Sequence, residues 1–250
     1  MKLAVIVPLY NRQRMIVPAI RSLLRQSDAA DLDIIVVDDG STDESATVVR
    51  DIAQKERCVR LISQKNMGVT GARNTGLKNL SDDTKLVTFL DSDDISPAGR
   101  IATEMKHFTS NQSLDFTYGL MTLVDRIDDE NLLPAEACQS VTVRGVSLSA
   151  GLFRREWFSR LGGFDEQFGV AEDADFLFRL FEQAPQFVLS DTVAIYYRRH
   201  PGNLTKQKGS IRRDIMLAIH KSVKRRRQDP TLAPLDNIFD MNALLGVKWL

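Results

Sequence analysis

Two stretches, Ile34-Ile35-Val36-Val37-Asp38-Asp39 and Leu86-Val87-Thr88-Phe89-Leu90-Asp91-Ser92-Asp93-Asp94, decide how this chain folds. Each is a run of β-branched or apolar residues that stops in carboxylates. Such runs, bounded by Gly, Ser and Asp, read as strands buried on both faces, the kind found in parallel sheets covered by helices. Sheets of that kind bind ligands at the carboxyl ends of their strands. The first run, Leu3 to Asn11 (LAVIVPLYN), also stops in polar residues, so three strands would deliver polar groups to one edge. Five carboxylates gathered there repel one another unless a cation or an arginine sits among them, or some stay protonated. A divalent ion is the simplest resolution, and it points to a metal-bound, phosphate-bearing substrate.

Outward from these strands the pattern alternates. Between Lys2 and Asp94 it runs strand, helix, strand, helix, strand, which predicts parallel strands joined by right-handed crossovers. Val17 to Gln26 places Ile20, Leu23 and Leu24 on one helical face, and Asp43 to Lys55 reads as a second helix capped by Ser41 or Asp43, with acids in its first turn. Val59 to Lys65 is a short strand. Residues 66–76 (NMGVTGARNTG) combine glycines and small residues and open the next helix; Gly68, Gly71 and Gly76 allow either an anion at the helix start or tight packing. Further on, 99–108 reads as helix, 115–125 as strand, 126–145 mostly as loop, 146–153 as strand, 154–161 as a helix ended by Gly162 and Gly163, 173–184 as helix and 192–200 as strand.

Composition narrows the function class. The 250 residues carry 33 Lys plus Arg against 33 Asp plus Glu, so no net charge draws the whole molecule to nucleic acid. Hydrophobic content of 43% with 26% charged residues is that of a soluble globular protein. The apolar run after Lys2 is broken by Pro8, Tyr10 and Asn11 too early for a signal-peptide core, and no stretch reaches the length of a membrane span, so a cytoplasmic address is expected. Cys58 and Cys138 lack neighbours at zinc-ligand spacing. We expect one domain, 1–205, followed by a basic helical extension, 206–250. In that extension Ile211, Ile215, Ile219 and Val223 recur every four residues and form an apolar stripe flanked by bases. The stripe reads first as a helix packed on its own domain. Peripheral contact with an anionic membrane, assisted by Trp249 and Leu250, is the second reading.

Chemistry concentrates at the strand ends. In LDSDD, Asp91 and Asp93 share a face if the strand persists, and Asp94 joins them only if the chain turns. Carboxylates at this spacing suit hard cations, Mn2+ or Mg2+, that complete their shell with phosphate oxygens and water.

Seven motifs occur in order over roughly the first 205 residues: VPLYN (Val7 to Asn11), VVDDGSTD (Val36 to Asp43), NMGVTGARNTG (Asn66 to Gly76), FLDSDD (Phe89 to Asp94), GGFDE (Gly162 to Glu166), AEDADFLFRL (Ala171 to Leu180) and YRRHPGN (Tyr197 to Asn203). Together they make the chain resemble a family 2 glycosyltransferase. The resemblance implies an α/β GT-A fold: a Rossmann-like, mostly parallel sheet with helices on both faces, here with a helical C-terminal tail. It implies inverting transfer of a sugar from a nucleoside diphosphate sugar, a UDP-sugar above all, to a saccharide or lipid-linked acceptor. Pro8, Tyr10 and Asn11 with Asp38 or Asp39 would hold the nucleobase, Arg73 would lie near base or phosphate, and Asp91 or Asp93 would meet the ribose. Asp93, Asp94 and His200 would reach the metal, with Arg198 and Arg199 balancing phosphate charge.

The resemblance makes Asp173 the catalytic base. Three and four residues before Phe176 and Leu177, it lies on the inward face of its helix. Glu172, Asp175 and the surface around Trp157 would support the acceptor. The chain departs from the family pattern in placing Ala174 where a large aromatic is common beside the acidic pair. It also lacks the Gln-x-x-Arg-Trp motif of processive synthases, so one sugar per encounter is expected. Two other classes stand beside this reading: a sugar nucleotidyltransferase, which would want a glycine-rich basic loop where VPLYNRQRM stands, and a noncatalytic nucleotide-sugar-binding or assembly module, against which the intact acidic set argues.

Overall fold

Strand β1 (Lys2–Leu9) is buried from Leu3 onward, and its side chains alternate between two helical layers. Leu3, Val5, Val7 and Leu9 join a core shared with Ile16, Ile20 and Leu23 of helix α1 (Ile16–Leu24). Ile6, between them, enters the opposite core. That two-sided burial is why the strand reads as a continuous apolar run rather than as alternation. The same holds for β2 (Asp31–Asp38), which pairs with β1 in parallel, Val36 opposite Val7 and Asp38 opposite Leu9.

The computed structural model describes residues 1–203, 208–235, 239–240, 242–245 and 247. After β2 come α2 (Ser45–Lys55), β3 (Val59–Ser63), α3 (Gly68–Lys78), β4 (Thr84–Phe89) and α4 (Arg100–Ser110). The chain continues through β5 (Phe116–Val124), a small hairpin of β6 (Ile127–Asp128) with β7 (Leu133–Pro134), then β8 (Ser140–Val143) and β9 (Gly151–Arg154). Helices α5 (Glu156–Leu161) and α6 (Glu172–Phe181), strand β10 (Phe187–Arg198) and helix α7 (Lys208–Gln228) complete it. The main sheet runs β10-β5-β9-β4-β1-β2-β3, with β8 added to β5. Only β8 and β9 run against their neighbours. The chain leaves β1 toward β2 and returns on the other side of β1 as β4, so a topological switch lies between β1 and β4, where such sheets open a crevice.

Helices cover both faces. Val49 of α2 and Ile101, Met105 and Phe108 of α4 join the α1 side. The other layer is aromatic: Phe158 stacks on Phe176 at 4.7 Å, and Phe89 meets Phe158 edge-on at 5.6 Å.

Four local readings need correction. Helix α2 begins at Ser45 without an acidic first turn, because Asp43 precedes the helix and accepts the Ser45 N–H at 3.0 Å. The 126–145 loop contains β8, four residues whose strand character comes from pairing with β5 rather than from their own pattern. The 146–153 strand divides into a single 3-10 turn, Leu148–Ala150, and β9.

The fourth concerns α7, whose Ile stripe is not its packed face. Asp214, Ala218 and Ser222 are buried instead, while Ile215 and Ile219 stay 38% and 42% exposed. Polar anchors set this rotation. Asp214 accepts the N–H groups of Gly169 and Val170, Lys221 reaches Asp165, and Arg225 pairs with Glu182 at 2.7 Å. The expected domain boundary near 205 falls outside the described residues, as do Trp249 and Leu250. No described helix is long and apolar enough to cross a membrane.

Of the three glycines that open α3, Gly76 serves packing. A Cβ there would stand 2.5 Å from Ile6 Cγ2 on β1. Alanine gains up to ~1 kcal/mol of helix propensity, but overpacking costs roughly 1–3 kcal/mol. Gly76→Ala should therefore lower the unfolding free energy in a urea titration, and Gly76→Ala combined with Ile6→Ala should cost less than the sum of the two single changes.

Candidate functional site

A crevice of about 750 Å³ opens at the switch between β1 and β4. Pro8 and Tyr10 from the end of β1, Asp39 after β2, Arg73 of α3, Asp91 and Asp93 after β4, and Glu172 and Asp173 of α6 all line it. Residues up to 165 positions apart in sequence thus converge because parallel strands end at one edge and α6 begins above it.

Arg73 is the centre of the arrangement. It is 5% exposed, donates from Nη2 to Asp91 Oδ1 at 2.7 Å and from Nη1 to Glu172 Oε1, and lies over the Phe89 ring. Burial works against its charge, but Asp91, Glu172 and Asp173 outweigh that and hold it above its usual value. The same burial pushes Glu172 up to about 7, with Arg73 opposing and Asp173 adding to the rise. Asp173, partly exposed to the crevice, is likewise raised by desolvation against the pull of Arg73.

The two aspartates after β2 separate. Asp39 lines the crevice, and its Oδ1 accepts from Gln64 Nε2 at 2.7 Å and from the Met67 N–H at 2.8 Å. Asp38 turns into the loop and accepts the Ser41 N–H. Asn11, at φ 50°, braces that loop through its Oδ1, which accepts the Thr42 N–H at 2.8 Å. Ala171, directly before the acidic pair, also has a left-handed backbone, at φ 61°. Leu132, Ala137 and Ala184 share that backbone conformation away from the crevice.

At the other end, Asp93 Oδ2 meets His200 Nε2 at 2.9 Å and Arg12 Nε at 3.1 Å. Burial opposes the Asp93 charge, yet His200 and Arg12 hold its carboxyl below the usual range. His200 Nδ1 accepts the Gly202 N–H, which places the ring proton on Nε2, facing Asp93. Among the described residues no three His, Cys, Asp or Glu side chains form a metal cage. One carboxylate beside one imidazole nevertheless fits a hard cation that would replace the Nε2 proton and take its remaining ligands from diphosphate and water.

Asp94, expected with Asp93 at the metal, is fully buried and does not line the crevice. Its Oδ1 accepts the Arg198 N–H, its Oδ2 has no hydrogen-bond partner, and burial with Asp93 and Asp91 pushes it well above the carboxylate range. Asp175 faces away from the crevice. It is 1% exposed and takes Arg179 Nε at 2.8 Å beside Arg225, where it anchors α7. Trp157 is a core residue, with Nε1 donating to Asp115 Oδ1 and Arg160 over its ring. Arg198 is held by the Asp93 carbonyl and by Asp129.

Sequence reasoning missed Arg12 and an aliphatic wall. Arg12 was visible as the base directly after VPLYN, and it ties Asp93 to the Gly202 carbonyl at 3.0 Å. The wall, which includes Met121, Leu123, Val143 and Val146, is assembled from separate segments with no motif to mark it. Removing one partner of a buried ion pair leaves the others unpaired. Arg73→Met should thus cost about 3–5 kcal/mol in chemical unfolding, whereas Tyr10→Phe, at a half-exposed side chain, should stay within about 0.5 kcal/mol.

Comparison with known proteins places this geometry. The family description "Glycosyl transferase family 2" matches residues 4–123, and "Glycosyltransferase like family 2" matches residues 109–221. EpsJ of Bacillus subtilis, described as an uncharacterized glycosyltransferase, is 30% identical over 220 residues, 81% of this chain and 62% of its own length. A Campylobacter jejuni GalNAc(5)-diNAcBac-PP-undecaprenol beta-1,3-glucosyltransferase is 39% identical over 107 residues, 42% of this chain and 34% of that protein. The chain thus spans less than two thirds of the length of these relatives. Among solved structures, S. aureus TarS 1-349 in complex with UDP-GlcNAc superposes with a TM-score of 0.67 at 23% identity, covering 83% of this chain and 61% of that one. The mannosyltransferase PcManGT from Pyrobaculum calidifontis, in complex with GDP-Man and Mn2+, gives 0.65 at 20% identity, covering 89% and 64%. The fold is therefore that of GT-A glycosyltransferases, and with the two family descriptions together running from residue 4 to residue 221, the chain belongs to glycosyltransferase family 2.

Proposed function

We propose that this chain moves one sugar from a nucleoside diphosphate sugar, a UDP-sugar, to an acceptor hydroxyl with inversion, in the synthesis of a polysaccharide or glycoconjugate. The observation that carries the reading is the convergence of Asp39, Asp91, Asp93 and Asp173 on one crevice around Arg73. The acceptor is a saccharide or a lipid-linked sugar; one relative is named for an undecaprenol-linked acceptor, and the solved neighbours hold UDP, UDP-GlcNAc or GDP-Man.

In this reading Asp39, braced by Gln64 and Met67, accepts a ring N–H of the base beside Pro8 and Tyr10. Asp91, oriented by Arg73, takes the ribose hydroxyls. Asp93 and His200 would hold Mn2+ or Mg2+, whose charge would offset that growing on the departing diphosphate. Arg12, already on Asp93, lies where it can follow the same phosphates. Asp173 takes the proton from the acceptor hydroxyl as that oxygen attacks the anomeric carbon from the side opposite the diphosphate. Its raised affinity for protons suits a base that must receive one near neutral pH.

Asp173→Asn should slow transfer by roughly 10²–10⁴-fold while leaving nucleotide affinity nearly unchanged. Turnover and titration calorimetry check this, and wild-type turnover in the variant would reject the base. Asp93→Asn should weaken both metal-dependent nucleotide binding and turnover. Because Asp173 must be ionised to act and sits above the ordinary 3.8, kcat/KM should fall with decreasing pH along a limb whose apparent pKa exceeds that value. Asp173→Asn should abolish the limb.

A further inference from the structure

We propose that Arg12 is an internal counter-ion that competes with a divalent cation for Asp93 and is drawn off Asp93 by the nucleotide, so that metal and nucleotide each favour the binding of the other. This rests on the glycosyl-transfer reading above, which puts a cation at Asp93 and His200 and a diphosphate beside them.

The charge of Asp93 is already balanced within the chain. Its Oδ2 accepts Arg12 Nε at 3.1 Å and His200 Nε2 at 2.9 Å, so a guanidinium and an imidazole converge on one carboxylate oxygen. The two partners differ in what they allow. An imidazole turns from donor to ligand by giving up its Nε2 proton, whereas arginine stays protonated in proteins and never becomes a ligand. With Arg12 in place, a cation arriving at Asp93 meets a positive charge on the oxygen it would use, and the attraction of the carboxylate is already offset. Arg12 therefore opposes the cation at this pair, while His200 supports it.

Arg12 is also a guanidinium that can change partners. Arg73 is buried between Asp91 and Glu172 over the Phe89 ring, which fixes it. Arg12 is partly exposed, and among the described residues only two carbonyls hold its guanidinium besides Asp93, those of Asn11 at 3.2 Å and Gly202 at 3.0 Å. Neutral carbonyls are weaker acceptors for it than phosphate oxygens are. The backbone beneath is anchored separately, since the Arg12 N–H donates to Ser45 Oγ at 2.8 Å and Asn11 Oδ1 accepts the Thr42 N–H. The side chain can thus turn without disturbing the end of β1. A diphosphate in the crevice that Arg12 lines offers it anionic oxygens in place of Asp93, and leaves Asp93 to the cation. Coupling of this kind is reciprocal: what the nucleotide does for the cation, the cation does for the nucleotide.

The experiment titrates the full chain with Mn2+ alone, read by the electron paramagnetic resonance signal of the free ion, and then with UDP at saturating Mn2+ by calorimetry. Arg12→Met should bind Mn2+ alone about tenfold more tightly than the wild type, because Asp93 has lost its competitor. The same variant should bind UDP about tenfold more weakly, because a charged hydrogen bond to the diphosphate is gone. A merely structural loss would weaken both ligands, so the opposite signs are the signature. Arg12→Lys, which keeps a cation beside Asp93, should leave the affinity for Mn2+ alone near that of the wild type. Unfolding midpoints report whether Arg12→Met folds; if it does not, Arg12→Gln, polar but uncharged, should show the same two shifts.

If UDP with Mn2+ fails to bind the wild type, the glycosyl-transfer reading falls. If UDP binds and the uncharged variants hold Mn2+ alone no more tightly than the wild type, or lose both ligands together, only the role of Arg12 falls.

Discussion

A buried guanidinium among three carboxylates is the constraint around which this molecule is arranged. Arg73 comes from α3, Asp91 from the end of β4 and Glu172 from the start of α6, and their contacts fix the distance between the sheet edge and the helix above it. A lone arginine at that depth would be strongly disfavoured. Three acids around one base leave excess negative charge, which, with burial, raises the proton affinity of Glu172 and Asp173. The same interaction that joins the two halves of the site therefore tunes the residue proposed to take the proton.

The rest of the fold serves that juxtaposition. Parallel pairing of β1 with β2 and β4 aligns three strand ends, and the reversal of strand order at β1 opens space between them. Close packing of α3 on β1, permitted by Gly76 against Ile6, brings Arg73 within reach of Asp91. At the far end a second cluster, Asp93 with Arg12 and His200, ties the β1 and β4 ends to the loop after β10. Two charge clusters, one around Arg73 and one around Asp93, thus bracket the crevice.

Much of this was legible in the sequence because it rests on local pattern. Apolar runs ending in Asp announced the parallel strands, and the acid-dense AEDAD segment announced a helix start facing a pocket. What the sequence could not show depended on partners distant in the chain. Asp94 differs from Asp93 only in direction, and that is set by the Arg198 N–H more than a hundred residues away. Trp157 looked like a surface aromatic until Asp115 took its indole N–H. The α7 stripe had clear periodicity, yet buried ion pairs and an Asp214 contact to backbone N–H groups outweighed it. The aliphatic wall had no periodicity at all, since each of its segments contributes only one or two residues.

The central claim is that nucleotide and metal occupy the crevice between these clusters. A crystal structure of the chain with UDP and Mn2+ tests it most directly. The account predicts the uracil ring at Asp39, the ribose at Asp91 and the ion between Asp93, His200 and the diphosphate, with Asp173 facing the space beyond the β-phosphate. UDP bound elsewhere, or an ion that touches neither Asp93 nor His200, would contradict it.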